Sequence, residues 1–171
     1  NLNIYITKKM IVNDISKITL IDKNGNTISK KKIYIDHFDI NKFFSESKFK
    51  NLVFLLIDNS YPSIIFYLTL LKSKNAIALI NPNTKSQKLK ELIKAYEPNY
   101  IITKKILDIS TYKDIHKIYG YNCYHSLKKK NHYINKKLFF LLTTSGTTGS
   151  SKFVRLSYKN IESNTKSIVK F

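Results

Sequence analysis

The chain reads as an α/β protein, a layered mixed sheet with helices packed against it. Of three observations, the first predicts this class, the second a folded core, and the third where chemistry concentrates. Short unbroken apolar runs alternate with amphipathic stretches along most of the 171 residues. The hydrophobic fraction is 43% and the aromatic fraction 13%, enough for a real core. Only four glycines occur, and two of them, Gly146 and Gly149, fall in one short stretch between two apolar runs. At this length one domain is expected, and neither an internal repeat nor a linker interrupts it.

Each element follows in order. Ile18–Asp22 has the composition of a strand, and Asn24-Gly25 marks a tight turn after it. From Thr27 to Phe44 a period-two alternation gives way to a polar helical pattern, so the element type stays open. The unbroken apolar run Leu52–Ile57 predicts a strand buried on both faces. Ser60 then stands as an N-cap, with Pro62 in the first turn, where its missing N–H costs nothing. The helix behind it places Ile64, Ile65, Leu68 and Leu71 on one face. Ala76–Ile80 is a second buried strand, ended by Asn81-Pro82. Thr84 and Gln87 have capping-box spacing ahead of Leu89, Leu92, Ile93 and Tyr96 at helical period. Pro98 closes that helix, and Tyr100–Thr103 is the next strand. Residues 104–136 show no clean period, and Lys128–Lys130 reads as a solvated loop. Leu138–Leu142 and Phe153–Leu156 are strands, and Ser157 caps a final helix.

The net charge of +19 raises a polyanion as a partner. The identity of the cations argues the other way. Arg155 is the only arginine, so 29 of the 30 basic residues are lysines. Reading base edges and clamping phosphate favour the planar fork of arginine over the hydrated point charge of lysine. The charge therefore reads as a solvated surface, and no specific nucleic-acid partner is expected. Cys123 stands alone, which excludes a disulfide within the chain and suits a reducing compartment. His37, His116, His125 and His132 show no metal-ligand spacing with Cys123, so no metal site is assigned. No signal-like segment stands at Asn1, and the apolar run Ile64–Leu71 is too short to span a bilayer. A soluble, cytoplasmic protein without a membrane span is the expectation.

Chemistry concentrates in Thr143-Thr144-Ser145-Gly146-Thr147-Thr148-Gly149-Ser150-Ser151-Lys152. Seven of its first nine residues bear a hydroxyl, and every residue before the lysine is small. Such a loop can turn backbone N–H groups inward around an anion, because glycine tolerates positive φ. Hydroxyls add donors, and Lys152 adds a full charge. The spacing is not that of a Walker-type loop, which needs four residues between its glycines and a hydroxyl residue after its lysine. Here two residues separate Gly146 from Gly149, and Phe153 follows Lys152. A flexible Ser/Thr linker is the plain alternative, but linkers seldom join two apolar strands directly.

Residues 142–160, Leu-Thr-Thr-Ser-Gly-Thr-Thr-Gly-Ser-Ser-Lys-Phe-Val-Arg-Leu-Ser-Tyr-Lys-Asn, resemble the signature loop of the AMP-binding superfamily. That superfamily contains acyl-CoA synthetases, peptide-synthetase adenylation domains and luciferases. Its usual pattern is Thr-Ser-Gly-Thr-Thr-Gly-x-Pro-Lys-Gly-Val, then Leu-Ser-His-x-Asn. Ser151, Phe153 and Tyr158 depart from it at the Pro, Gly and His positions, while Thr144 to Gly149 and Lys152 keep it. Leu20–Ile28 is similar to the family's early hairpin, and Leu52–Asn59 with Ile64–Asn75 to its strand and helix. Asn81-Pro82-Asn83 is similar to its asparagine-proline turn, and Glu97–Thr103 to the strand after the next helix.

The resemblance implies an ATP-dependent ligase. A carboxylate would attack the α-phosphate, giving an acyl-adenylate and pyrophosphate, and the acyl group would pass to a thiol such as CoA or a carrier protein. Thr144, Ser145, Gly146, Thr147, Thr148, Gly149 and Lys152 would hold the ATP phosphates. Magnesium is implied too, but its usual glutamate ligand lies in a later aromatic-Gly-x-Thr-Glu motif that does not occur in these residues. Also absent are the later ribose-binding aspartate, the hinge and the late lysine. The expected organisation is thus residues 1–171 as the N-terminal part of an AMP-binding domain, the first subdomain of such an enzyme. No catalytic residue is assigned within it, and the chain alone is not expected to catalyse adenylation. A non-catalytic remnant and a lysine-rich polyanion-binding module are the competing readings.

Overall fold

The computed structural model describes residues 3–5, 18–22, 24–44, 49–73, 75–128, 133–143 and 153–168. Two short strands, β1 (Asn3–Tyr5) and β2 (Thr19–Ile21), pair antiparallel. The turn after β2 is built on Asp22, whose Oδ1 accepts from the N–H groups of Asn24 and Asn26. Gly25 sits there at φ 86°, a conformation glycine adopts without steric cost.

The open stretch is resolved as a helix, α1 (Lys30–Phe44), with Ile33, Asp36, Ile40 and Phe44 buried at helical spacing. The alternation ahead of it reflects the isolated bridge between Ile21 and Thr27. The chain continues through β3 (Leu52–Leu56), α2 (Tyr61–Lys72), β4 (Ala76–Ile80), α3 (Ser86–Tyr96) and β5 (Tyr100–Thr103). Next come β6 (Tyr112–Ile118), β7 (Tyr121–Ser126), β8 (Leu138–Thr143), β9 (Phe153–Ser157) and α4 (Tyr158–Ile168).

β3 to β9 form one mixed sheet in the order β6-β7-β5-β3-β4-β8-β9. β3 runs parallel to β4 and β5, and β4 runs parallel to β8. β7, β6 and β9 are added antiparallel. The central strands are apolar throughout because both faces are covered. Val53, Leu55 and Ile77 pack with α1 and α2, through Ile33, Ile40, Ile64 and Leu68. Phe54, Leu56, Ala78 and Ile80 pack with Leu89, Leu92 and Ile93 of α3 on the opposite face. Phe54 is fully buried, which by area alone stabilises the fold by about 2–3 kcal/mol.

The structure departs from the sequence reading in four places. α2 is buried on more than one face, with Ser63, Phe66, Thr69 and Leu70 also inside, because α1 packs on its outer side. Residues 104–136 contain the β6–β7 hairpin, turned by Tyr119 and Gly120 at φ 49° and 82°. Two consecutive positive φ values suit the right-handed twist of a two-residue hairpin. Thr84 and Gln87 form no capping box. α3 starts one residue later than that spacing requires, and the Thr84 hydroxyl donates to the Asn81 carbonyl at 2.7 Å. Ser60 does occupy the N-cap of α2, yet its hydroxyl donates to Asp58 instead of capping. The cap before α4 is realised as a reciprocal pair. The Asn160 N–H donates to Ser157 Oγ at 3.3 Å, and the Ser157 N–H donates to Asn160 Oδ1 at 2.9 Å.

Candidate functional site

The sheet reverses its winding about β3: β4 lies on one side of it and β5 on the other. In open α/β sheets, ligands settle outside the carboxyl ends of the strands at such a switch point. The parallel pairing of β4 with β8 joins Ile77 to Phe140 and Leu79 to Leu142, so Thr143 ends β8 on the same edge where Ile80 ends β4. Across the antiparallel partner, Thr143 is in register with Phe153. Thr143, which opens the hydroxyl-rich stretch, and Phe153, which follows it, therefore stand on the carboxyl edge. Thr144, Ser145, Gly146, Thr147, Thr148, Gly149 and Lys152 lie outside the described residues.

The carboxyl edge also carries a charged cluster that sequence reasoning missed. Asp58, two residues past β3, accepts from Lys104 Nζ at 2.6 Å, from the Ser60 N–H at 2.9 Å and from Tyr121 OH at 3.0 Å. Partial burial by itself would raise the Asp58 carboxyl. The bonds from Lys104, Ser60 and Tyr121 outweigh it and hold the group well below the ordinary carboxylate range. The Lys104 ammonium is raised, chiefly by its bond to Asp58. Lys105 reaches the other way, donating to the Thr84 carbonyl. Consecutive lysines after β5 thus tie down the loops that follow β3 and β4. A tandem Lys-Lys at a strand end beside an Asp-x-Ser loop is the signal, but it is unremarkable in a chain so rich in lysine.

A second cluster braces the helices. Asp36 on α1 is 4% exposed and accepts from Lys32 Nζ at 2.8 Å, Tyr61 OH at 2.7 Å and Tyr119 OH at 2.7 Å. Burial raises this carboxyl, and the three donors together lower it below its ordinary value. The same contacts push the Tyr119 phenol up to about 12, mainly through its bond to Asp36. One side chain so links α1, α2 and the β6–β7 turn.

Among the described residues the remaining titratable groups give no catalytic arrangement. His37 pairs with Thr69 Oγ1 at 2.9 Å, His116 stacks on Phe43, and His125 tilts against Tyr100. His132 lies outside the described residues. Burial pushes the Cys123 thiol up to about 12, which leaves it a packing group. Among the described residues no three His, Cys, Asp or Glu side chains gather as a metal site. No described helix is long and apolar enough to cross a membrane. A cavity of about 680 Å³ opens at the opposite, amino edge of the sheet, between Leu52, Tyr96, Leu138 and Arg155. It lies away from the carboxyl ends where a ligand is expected.

The fold is similar to that of MatB from Rhodopseudomonas palustris, with a TM-score of 0.59 and 15% identity, covering 87% of this chain and 33% of that one. The ATP-bound form of MatB aligns equally well, with a TM-score of 0.59 and 16% identity over the same shares. The N-terminal subdomain of NpsA from Klebsiella oxytoca, in complex with 3-hydroxybenzoyl-AMSN, gives a TM-score of 0.56 at 17% identity. It covers 81% of this chain and 36% of that one. At these identities the likeness is one of fold, and the chain spans about a third of the length of these proteins. No curated protein sequence matches significantly. The model of the family described as AMP-binding enzyme matches residues 47–171, from just before β3 through the hydroxyl-rich stretch to α4 and beyond. On that match over most of its length, with the same sheet and helices around it, the chain belongs to the AMP-binding enzyme family.

Proposed function

We propose that residues 1–171 form the N-terminal part of an AMP-binding domain that activates a carboxylic acid with ATP, the ATP phosphates being received by residues 144–152. The observation that supports it best is the coincidence of the family match with the strand geometry. The matched segment includes the hydroxyl-rich stretch, and its flanking residues Thr143 and Phe153 end on the carboxyl edge of the parallel strands. In this reading the N–H groups around Gly146 and Gly149 and the hydroxyls of Thr144, Ser145, Thr147 and Thr148 cradle the β- and γ-phosphates. Lys152 neutralises charge on them. Holding the leaving pyrophosphate in place aligns the α-phosphate for attack by a carboxylate and stabilises the charge that develops on departure.

The Asp58–Lys104 and Lys105–Thr84 ties support this role at a distance, because they hold the loops bordering the edge. Magnesium, which the family chemistry would supply as a counter-charge, is assigned to no residue of this chain, and no step is drawn through it. The acyl acceptor is a thiol such as CoA or a carrier protein. The lone buried Cys123 fits a reducing, cytoplasmic setting.

The test is ATP binding followed by isothermal titration and by the 31P resonances of the nucleotide. Lys152→Ala removes one charge-assisted contact and should weaken binding by about tenfold, roughly 1.4 kcal/mol. Unchanged affinity in Lys152→Ala and in Gly149→Val together would place the phosphates elsewhere.

A further inference from the structure

The outer face of α1 is an unusual surface. Tyr34, Ile35 and Phe38 are 60%, 46% and 48% exposed, although the opposite face of the same helix supplies Ile33, Ile40 and Phe44 to the core. Lys31, Ile35, Phe38 and Lys42 follow one another at i, i+4, i+7 and i+11, so they form one stripe along the helix. At 1.5 Å per residue the stripe is about 16 Å long, with a lysine at each end and the apolar groups between. Lys31 and Lys42 are both exposed, and Lys42 Nζ lies 4.5 Å from the centre of the Phe38 ring.

We propose that this stripe docks on an anionic lipid surface. Two features choose the occupant. The lysine ends, on a chain of net charge +19, are complementary to a negative partner. The middle of the stripe has no use for a phosphate backbone: Ile35 offers neither charge nor a stacking face, whereas a headgroup boundary takes aliphatic and aromatic groups and leaves lysines at headgroup level. α1 is 15 residues long and no described helix is fit to span a bilayer, so the helix lies in the interface. This docking uses none of the residues assigned to the nucleotide site proposed above.

The chain contains no tryptophan, so Phe38→Trp installs a single fluorescent reporter in the stripe. Its emission should shift to the blue on addition of vesicles of 70% phosphatidylcholine and 30% phosphatidylglycerol, and stay fixed with phosphatidylcholine alone. In sedimentation with the anionic vesicles, Lys31→Ala should lower partitioning about fivefold. Phe38→Ser should lower it about tenfold. Lys152→Ala should bind vesicles as the parent does, which separates this inference from the fate of the nucleotide site. A Phe38→Trp emission indifferent to anionic vesicles overturns the proposal. So does a Phe38→Ser variant that sediments like the parent, since charge alone would then account for binding. Loss of heparin retention in Phe38→Ser, without loss of vesicle binding, would assign the stripe to a polyanion and overturn it equally.

Discussion

Asp36 offers the sharpest test of how this sheet is braced. Among the described residues it is the one buried carboxylate, and three donors from three elements converge on it. Replacing it with alanine removes two hydroxyl bonds to a charged acceptor, each contributing about 1.5–3 kcal/mol, although the desolvation of the carboxylate offsets part of that. The Lys32 bond adds less than about 1 kcal/mol, because the lysine side chain is 52% exposed and solvent screens it. The Tyr61 and Tyr119 hydroxyls are left to find water. The net loss in Asp36→Ala is therefore about 3 kcal/mol, which for a chain of this size lowers the melting temperature by about 6–12 °C. Thermal unfolding followed by far-ultraviolet circular dichroism reads it directly. Tyr119→Phe alone should lose about 1 kcal/mol, and the double variant should fall short of the sum, because both changes remove the same bond. A melting temperature of Asp36→Ala within about 2 °C of the parent, or strict additivity with Tyr119→Phe, would refute the bracing role.

Three further outcomes follow from the same geometry. The carboxyls of Asp58 and Asp36 are both lowered from 3.8 in the folded state, so each contributes stability that is present above that value and lost as pH falls through the folded one. Urea unfolding between pH 7 and pH 2.5 should show a steep acid limb that is shallower in Asp58→Asn. Cys123 is buried with its thiol pushed up to about 12, so at pH 8 it should react with a disulfide reagent at least a hundredfold more slowly in the folded protein than in urea. Gly120→Ala meets no atom within 4 Å, but its φ of 82° is strained for any side chain. It should therefore destabilise by about 1 kcal/mol through the backbone alone, seen as a lower urea midpoint at unchanged slope.

Much of this protein was legible from local composition. β3 and β4 are buried on both faces and β8 is so at its centre, which demands unbroken apolar runs, and such runs declare themselves without any partner in view. α3 shows its single buried face as a clean helical period, and the hydroxyl-rich stretch stands out because small residues are otherwise scattered. Its position between two strands could be read in one dimension; that Thr143 and Phe153 share an edge with the end of β4 could not, because that depends on the pairing of β8 with β4. β6 was illegible for a related reason. Most of it is exposed, so its residues carry no apolar alternation, and it is a strand only because β7 is there to pair with it. α2 hid its second buried side until α1 was placed against it. Thr84 and Ser60 had the spacing and the type of capping residues, yet Asn81 and Asp58 offered nearer partners for their hydroxyls. The Asp36 and Asp58 clusters join residues up to 83 positions apart, and no window along the chain contains them. Residue type determined which segments must be buried and where an anion could be held; only the packed sheet decided which hydrogen-bonding groups meet, because that is settled by distance in space and not along the chain.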